Sequence, residues 1–450
     1  MEFKSFVQQA GLEAKEYQSK GVEWCVSRES SDEYCKGGVV ADEMGLGKTI
    51  MIIGTILENF CMPTLIVLPV ALLEQWREQI QQTTGHNCFV YHGAVKKLVN
   101  SLNIQKIPIV LTTYGTLVSD SKKEKKLQQV QWNRIVYDEA HHLRNKRTKV
   151  YGAARSMTSK ITWLITGTPI QNHINDLYSL FDILGISNKV YTKTNNLRFI
   201  MENIVMKRTK KEVGIQLPEV HYNRLITSWK NENERDLTAD IHENISTDKN
   251  MMLAMMMFER MMCIYPGLIN EKNLKTLNDM GVGVDKNVIP AHSKMDDVIK
   301  KVIERKDNNN RKIIFTTFKD ETDYIKKTLE DVGMTVEYID GRVTKRQRKV
   351  ILGDALDVLI LQIKTGNEGL NLQKYNEVYF VTPDWNPQVE EQAIARCHRI
   401  GQTKEVHVFR FVMNGFTDDD SSSNIEMYSE QVQKAKREIE EQMYVEVEAR

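Results

Sequence analysis

Residues 41–49 read Ala-Asp-Glu-Met-Gly-Leu-Gly-Lys-Thr, and no other stretch restricts the possible folds as tightly. A short apolar run at 38–41 has the character of a buried strand, and residues 50–60 read as a helix. Strand, glycine turn and helix form the setting that a phosphate-binding loop requires. Gly45 and Gly47 let the backbone turn tightly and bring its N–H groups up to an anion. The helix N-terminus adds the positive end of its dipole. In this reading Gly45, Leu46, Gly47, Lys48 and Thr49 bind a nucleotide, with Lys48 on the β- and γ-phosphates and the Thr49 hydroxyl on Mg²⁺. One departure stands out. The general G-x-x-x-x-G-K-[ST] pattern opens on glycine, and Asp42 stands there. Taken alone, the loop could be a glycine turn beside a surface lysine, so the rest of the chain has to decide.

A chain of 450 residues exceeds one average core and implies two domains. Its formal net charge of +1 says nothing about nucleic acid, so a basic groove requires local segregation of charge. The six cysteines form no C-x-x-C pair and read as reduced intracellular thiols, against a disulfide scaffold or a zinc site. No apolar run reaches membrane-spanning length, and residues 1–9 lack the apolar core of a signal peptide.

Further strands are expected at 64–69, 88–91, 108–113, 134–139 and 161–166, with helical segments between them. That alternation reads as a parallel, doubly wound α/β sheet. Ligands sit at the carboxyl ends of such strands. Thr113 ends one of them, where its hydroxyl suits either a backbone phosphate or the cap of the next helix. The strand at 134–139 ends in Asp138 and Glu139. In a phosphate-loop enzyme the first acid holds the Mg²⁺ shell, and the second can orient and deprotonate the attacking water. His141 and His142 follow with no zinc-site spacing. The turn at 166–172, with Thr166 and Thr168, suits a coupling element between domains. Gln18, upstream of the loop, offers a donor and an acceptor that suit the edge of adenine, or it lies on a helix surface. The lysine-rich stretch at 119–126 reads as a solvated loop.

Five segments together resemble the Swi/Snf family of DNA-dependent ATPases, within the superfamily II helicase-like translocases. They are Asp-Glu-Met-Gly-Leu-Gly-Lys-Thr at 42–49, Asp-Glu-Ala-His at 138–141, Thr-Gly-Thr-Pro-Ile-Gln-Asn at 166–172, Asp-Trp-Asn-Pro at 384–387 and Gln-Ala-Ile-Ala-Arg-Cys-His-Arg-Ile-Gly-Gln at 392–402. Their order is that of the family, from about Tyr17 to Phe411. The resemblance implies an α/β fold of two RecA-like parallel-sheet lobes, with ATP–Mg²⁺ between them and duplex DNA across both. It places a helical insertion between the lobes and gives boundaries of 1–230 for the first lobe, 231–290 for the insertion and linker, 291–417 for the second lobe, and 418–450 for a polar linker and terminal helix.

Second-half strands are expected at 312–317, 335–339, 357–363, 377–381 and 406–411, without a second phosphate loop. The methionine-rich stretch at 251–262 reads as helical core, or else as an adaptable binding face, and 273–291 as a loop. Arg396 and Arg399, three apart, are expected on one helical face. By themselves they suit solvent; the resemblance makes them arginine fingers for phosphates bound by the other lobe. It also gives Gln392 a role in reading the nucleotide or linking the lobes. Trp385 is either core or a coupling residue. Candidates for DNA contact are Thr113, Thr317, Thr365 and Gly366. The loop at 364–372 departs from the family, which commonly has serine where Gln362 stands and glycine where Asn367 stands. The implied activity is ATP-driven translocation on double-stranded DNA, independent of sequence. A strand-separating helicase or a nucleotide-switched clamp are the rivals. Nucleosomes, polymerases or other DNA-bound proteins are the implied targets, in the nucleus or another DNA-containing compartment. The chain is expected to be monomeric and away from membranes.

Overall fold

The computed structural model describes residues 3–9, 11, 13–31, 35–167, 169, 173–245, 248–283, 292–363, 370–417 and 423–449. The chain divides into two compact units, residues 1–216 with 436–450, and residues 217–435.

The first unit holds a seven-stranded sheet: β1 (Gly37–Val40), β2 (Thr64–Leu68), β3 (Phe89–Tyr91), β4 (Ile109–Thr113), β5 (Trp132–Tyr137), β6 (Ser159–Ile165) and β7 (Val205–Met206). The order is β3-β4-β2-β5-β6-β1-β7, and every neighbouring pair is parallel. Such strands are covered on both faces, so they read as unbroken apolar runs rather than alternations. In β2, Leu65 and Val67 enter one hydrophobic cluster, and Ile66 and Leu68 enter the cluster on the opposite face. Buried charges in this unit meet either an opposite charge or neutral hydrogen-bonding groups. Glu29 accepts from the Arg134 guanidinium, from Trp163 Nε1 at 2.7 Å and from Asn59 Nδ2 at 2.7 Å.

The second unit holds a six-stranded sheet: β8 (Val220–Thr227), β9 (Lys312–Thr316), β10 (Val336–Ile339), β11 (Val358–Gln362), β12 (Glu377–Phe380) and β13 (Val406–Met413), in the order β10-β11-β9-β12-β13-β8. Its neighbours are also parallel. Residues 220–227, expected inside the first lobe, are the edge strand of this second sheet, paired to β13 from Val220 opposite Val406 to Thr227 opposite Met413. An edge strand has one neighbour, and the polar side chains His221, Asn223 and Arg224 give it no continuous apolar run.

The span expected to be an insertion shares its core with this sheet. Ile241, Met255, Phe258, Met261 and Met262 cluster with Ile314 of β9 and Val358 of β11. The methionine-rich helix, Lys249–Ile264, is therefore core on one side, while Met251, Leu253 and Met257 are exposed. Part of the expected loop at 273–291 belongs to a helix, Glu271–Asp279, which Asn270 caps through the Asn273 N–H at 3.0 Å. The terminal helix, Ile425–Ala449, is anchored at its start. The buried Glu426 accepts from the Lys294 ammonium, from Thr382 Oγ1 at 2.6 Å and from Met413 N at 2.9 Å. No helix among the described residues is long and apolar enough to cross a membrane.

Glu321 is wholly buried beyond the end of β9 and accepts from the N–H groups of Thr317 at 2.9 Å and Phe318 at 3.0 Å. Burial outweighs those bonds and pushes its carboxyl up to about 7. The folded state then holds this proton more tightly than the unfolded chain. Its contribution to stability is full below about 4.5, the ordinary value, and falls as pH rises to about 7. Glu321→Gln is expected to remove that fall, on the order of 1–3 kcal/mol. Urea midpoints of the second unit's transition between pH 4.5 and 8 check it, and a wild-type midpoint that climbs over this range would contradict it.

Candidate nucleotide site

β1 runs straight into the phosphate loop. Gly45 and Gly47 adopt φ of +93° and +81°, in the left-handed region that favours glycine. Gly47 is the N-cap of the Lys48–Glu58 helix, and the first helical bond runs from Met51 N to Gly47 O at 3.1 Å. The N–H groups of Lys48, Thr49 and Ile50 therefore have no acceptor within their own helix, which suits an anion. Lys48 Nζ donates to the carbonyls of Asp42 at 2.7 Å and Glu43 at 3.4 Å. Gln18 is buried at this loop and not on an open helix surface. Its Nε2 donates to Leu46 O at 3.3 Å, and a Cβ on Gly47 would meet that nitrogen at 2.5 Å.

Asp138 and Glu139 follow β5. Trp76 Nε1 donates to Asp138 Oδ2 at 2.6 Å, and the Glu139 N–H to Oδ1 at 2.9 Å. Burial, then the neighbouring Glu139, pushes the Asp138 carboxyl up to about 6, against the pull of these bonds and of Lys48. Glu139 has φ +48° and ψ +51°, a left-handed conformation costing a non-glycine residue about 1–3 kcal/mol. Its Oε2 lies 3.2 Å from His141 Nδ1. His142 stacks on His141 with ring centroids 4.6 Å apart, and burial lowers it to about 4. Tyr114 donates to Asp138 O at 2.7 Å. The donors fit magnesium held with a nucleotide. Asp138 is a buried carboxyl that gains from a nearby cation, and no cluster of three or more His, Cys, Asp or Glu suited to a metal occurs among the described residues. One carboxylate and the Thr49 hydroxyl, completed by phosphate oxygens and water, is how Mg²⁺ is usually held.

β6, which Thr166 follows, lies between β1 and β5, and Thr166 N donates to Val40 O at 3.1 Å. A Cβ on the next residue, Gly167, would meet Met44 Cε at 2.8 Å, so this turn abuts the phosphate loop. Thr168 lies outside the described residues, as do Thr365 and Gly366. Thr113 is buried and caps the Tyr114–Lys122 helix, accepting from Thr116 N at 3.2 Å and donating to Thr116 Oγ1 at 2.9 Å. The capping alternative therefore prevails at Thr113 over the phosphate contact. That helix reaches into the stretch read as a solvated loop. Thr317 is half-buried at the end of β9, and its carbonyl accepts from Gln362 Nε2 at 3.0 Å. Gln362 thus ties the ends of β9 and β11 together.

In the second unit Gln392 and Arg396 lie on the Pro387–Cys397 helix, but Arg399 does not. His398 is the C-cap, with φ −90° and ψ +79°, and its Nε2 lies 2.8 Å from Pro218 O. The expected common helical face for the two arginines is therefore corrected, because the helix ends between them. They remain close in charge: burial, then Arg396, lowers the Arg399 guanidinium. Trp385 packs with Cys263, Met413 and Ile425 and meets the Tyr428 ring edge-on at 6.0 Å, which favours its reading as core.

Three participants gave no signal in the sequence. Trp76 was one apolar residue on a helix, Tyr114 the residue after a strand, and Arg208 one cation among several at 207–211. Arg208 pairs with Asp42, the residue that broke the loop pattern, through Nε–Oδ1 at 3.1 Å and Nη2–Oδ2 at 2.5 Å.

A family profile described as SNF2-related domain matches residues 17–312, and one described as helicase conserved C-terminal domain matches 293–401. The chain belongs to the SNF2-related family. Its two parallel α/β units fit the two-lobed α/β fold expected from the sequence. Similar curated proteins include an uncharacterized ATP-dependent helicase of Mycoplasma genitalium, 28% identical over 96% of this chain and 42% of its own length. Chromodomain-helicase-DNA-binding protein 6 of Rattus norvegicus is 28% identical over 88% of this chain and 17% of its own. The chromatin structure-remodeling complex protein SYD of Arabidopsis thaliana is 28% identical over 89% and 12%. The chain thus spans less than half the length of each. The solved SWI2/SNF2 ATPase core of Sulfolobus solfataricus, in complex with dsDNA, is 23% identical over 96% of both chains, with a TM-score of 0.43.

A side chain at 47 would be strained by the positive φ and would displace the Gln18 amide from the loop. Gly47→Ala is expected to weaken binding of a fluorescent ATP analogue by about tenfold or more while leaving the unfolding midpoint within a few degrees. Equilibrium titration checks it, and unchanged affinity would show that the loop does not approach the nucleotide.

Proposed function

We propose that this chain is a DNA-dependent ATPase that moves along double-stranded DNA and remodels or displaces proteins bound to it. The observation that carries the reading is the convergence of Lys48, Asp138 and Glu139 at the carboxyl ends of β1 and β5, on either side of β6 in one sheet. The Asp138 carboxyl there is held near its ionisation point by burial and by its neighbour. A carboxylate placed to accept a proton beside a lysine that faces phosphate suits turnover and not only nucleotide binding.

The residue roles follow from chemistry. Lys48 exchanges the Asp42 and Glu43 carbonyls for phosphate oxygens, and the N–H groups of the helix start receive the same anion. Glu139 accepts the proton of the attacking water. Asp138 and Thr49 hold Mg²⁺, which offsets phosphate charge when bound. Gln18 reads adenine. Arg396 and Arg399 stabilise charge on the transferring phosphoryl group, with Gln392 on the same helix as Arg396. Thr166 and Thr168 couple turnover to movement. Thr317, Thr365 and Gly366 touch the DNA backbone, so binding is independent of sequence and sensitive to salt.

Duplex DNA as the track is supported by relatives whose names include chromodomain-helicase-DNA-binding proteins. Nucleosomes, a polymerase or other DNA-bound proteins are the proposed obstacles, the compartment is one that contains DNA, and the working unit is a monomer.

The test is phosphate release with no nucleic acid, duplex DNA, single-stranded DNA or RNA. Duplex DNA is expected to stimulate most, without strand displacement. Stronger stimulation by RNA or single strands, or strand displacement, would move the reading to a separating helicase, and no release in any arm would move it to a clamp. Lys48→Ala is expected to lower turnover by at least about a hundredfold and leave duplex binding in place.

A further inference from the structure

Asp42 occupies the position where the general phosphate-loop pattern has glycine, and its carboxylate is wholly buried. The whole of its charge faces Arg208, in the stretch that follows β7. Two nitrogens of that guanidinium hold the two carboxylate oxygens at 3.1 and 2.5 Å, and the third, Nη1, donates to Tyr17 O at 2.7 Å. The backbone is tied as well. Ala41 N donates to Met206 O at 2.7 Å and Glu43 N to Arg208 O at 2.8 Å, which continues the β1–β7 ladder past the strand ends into the loop. Glu43 then accepts from Lys210 N at 2.8 Å, and its other oxygen lies 3.0 Å from Lys210 Nζ. Room for the guanidinium comes from Gly21, where a Cβ would meet Arg208 Nη2 at 2.9 Å.

A buried ion pair is a poor device for stability alone, because well-packed apolar residues often do as well. What this pair does is geometric. The Asp42 carbonyl receives Lys48 Nζ, and Tyr17 is bonded next to Gln18, whose amide holds Leu46 O. One planar fork therefore fixes both the anchor of the phosphate-binding lysine and the residue placed to read the base.

We propose that Arg208 is a positioning residue of the nucleotide site, setting Lys48 through Asp42 and Gln18 through Tyr17 without touching nucleotide. This rests on the ATPase reading above. It predicts that a lysine cannot substitute, since an ammonium offers the charge without the fork.

The test uses the full chain carrying Arg208→Lys, and separately Asp42→Asn with Arg208→Met, which removes the charges together and leaves no orphaned carboxylate. Each is titrated with fluorescent Mg-ATP and Mg-GTP analogues and followed by thermal unfolding. Both are expected to bind the ATP analogue about tenfold more weakly and to lose preference for adenine over guanine, with a cooperative melt. A folded variant with unchanged affinity and base preference overturns the positioning role, and if the double variant does not fold, Arg208→Lys decides on the same criterion. Lys48→Ala separates the two claims. Retained turnover there overturns the ATPase reading itself, whereas an inactive Lys48→Ala beside an unaffected Arg208→Lys overturns the positioning role alone.

Discussion

A parallel sheet covered on both faces leaves its strand ends as the places where polar chemistry can surface. β1, β2 and β5 each pair in parallel with a neighbour on both sides, and their side chains fill two apolar clusters. Because the strands run one way, their carboxyl ends form a single rim. The phosphate loop leaves β1, Asp138 and Glu139 leave β5, and Thr166 leaves β6 between them. These residues lie far apart in sequence and meet because sheet polarity gives them no other rim to share.

Burial at that rim makes charges interdependent. Asp138 loses hydration, which favours its neutral form, and recovers the charged form only through donors aimed at it: Trp76 Nε1, the Glu139 N–H and the field of Lys48. Asp42 meets the same pressure with a different partner, the forked guanidinium of Arg208. The two buried carboxylates are thus held differently, Asp42 by an arginine fork and Asp138 by neutral donors. The left-handed Glu139 adds local strain at the same rim, and strained backbone tends to collect at functional sites.

What could be read in advance follows from which forces are local. Fully buried parallel strands announce themselves as unbroken apolar runs, so β1, β2, β4, β5, β6, β9, β11 and β12 were legible to within a few residues. The phosphate loop was legible because its glycines and lysine are contiguous. β8 was not, since an edge strand with His221, Asn223 and Arg224 looks like polar linker until β13 is beside it. The two-residue β7 is too short for any periodicity. Spacing put Arg396 and Arg399 on one helical face, but the helix ends at Cys397, and no glycine or proline marks that end before Gly401. Thr113 offered two roles that local sequence weighs equally, and its burial in three dimensions settled the matter for the cap. The Asp42–Arg208 pair joins residues 166 positions apart, a separation at which neither propensity nor spacing carries information.

That last pair also changes how the departure from the loop pattern is to be understood. A glycine at 42 would leave the loop free to adjust around its anion. An aspartate there, buried and bidentately held, ties the loop to the segment by which the chain leaves the first sheet. The tie continues through Glu43 to Lys210, and β8 of the second sheet begins at Val220, ten positions later. Any movement of the Asp42 and Glu43 carbonyls must therefore be taken up by residues 206–210 or be resisted by them. The loop is thereby fastened to the outgoing chain through side chain and backbone alike, rather than left to the freedom of its glycines.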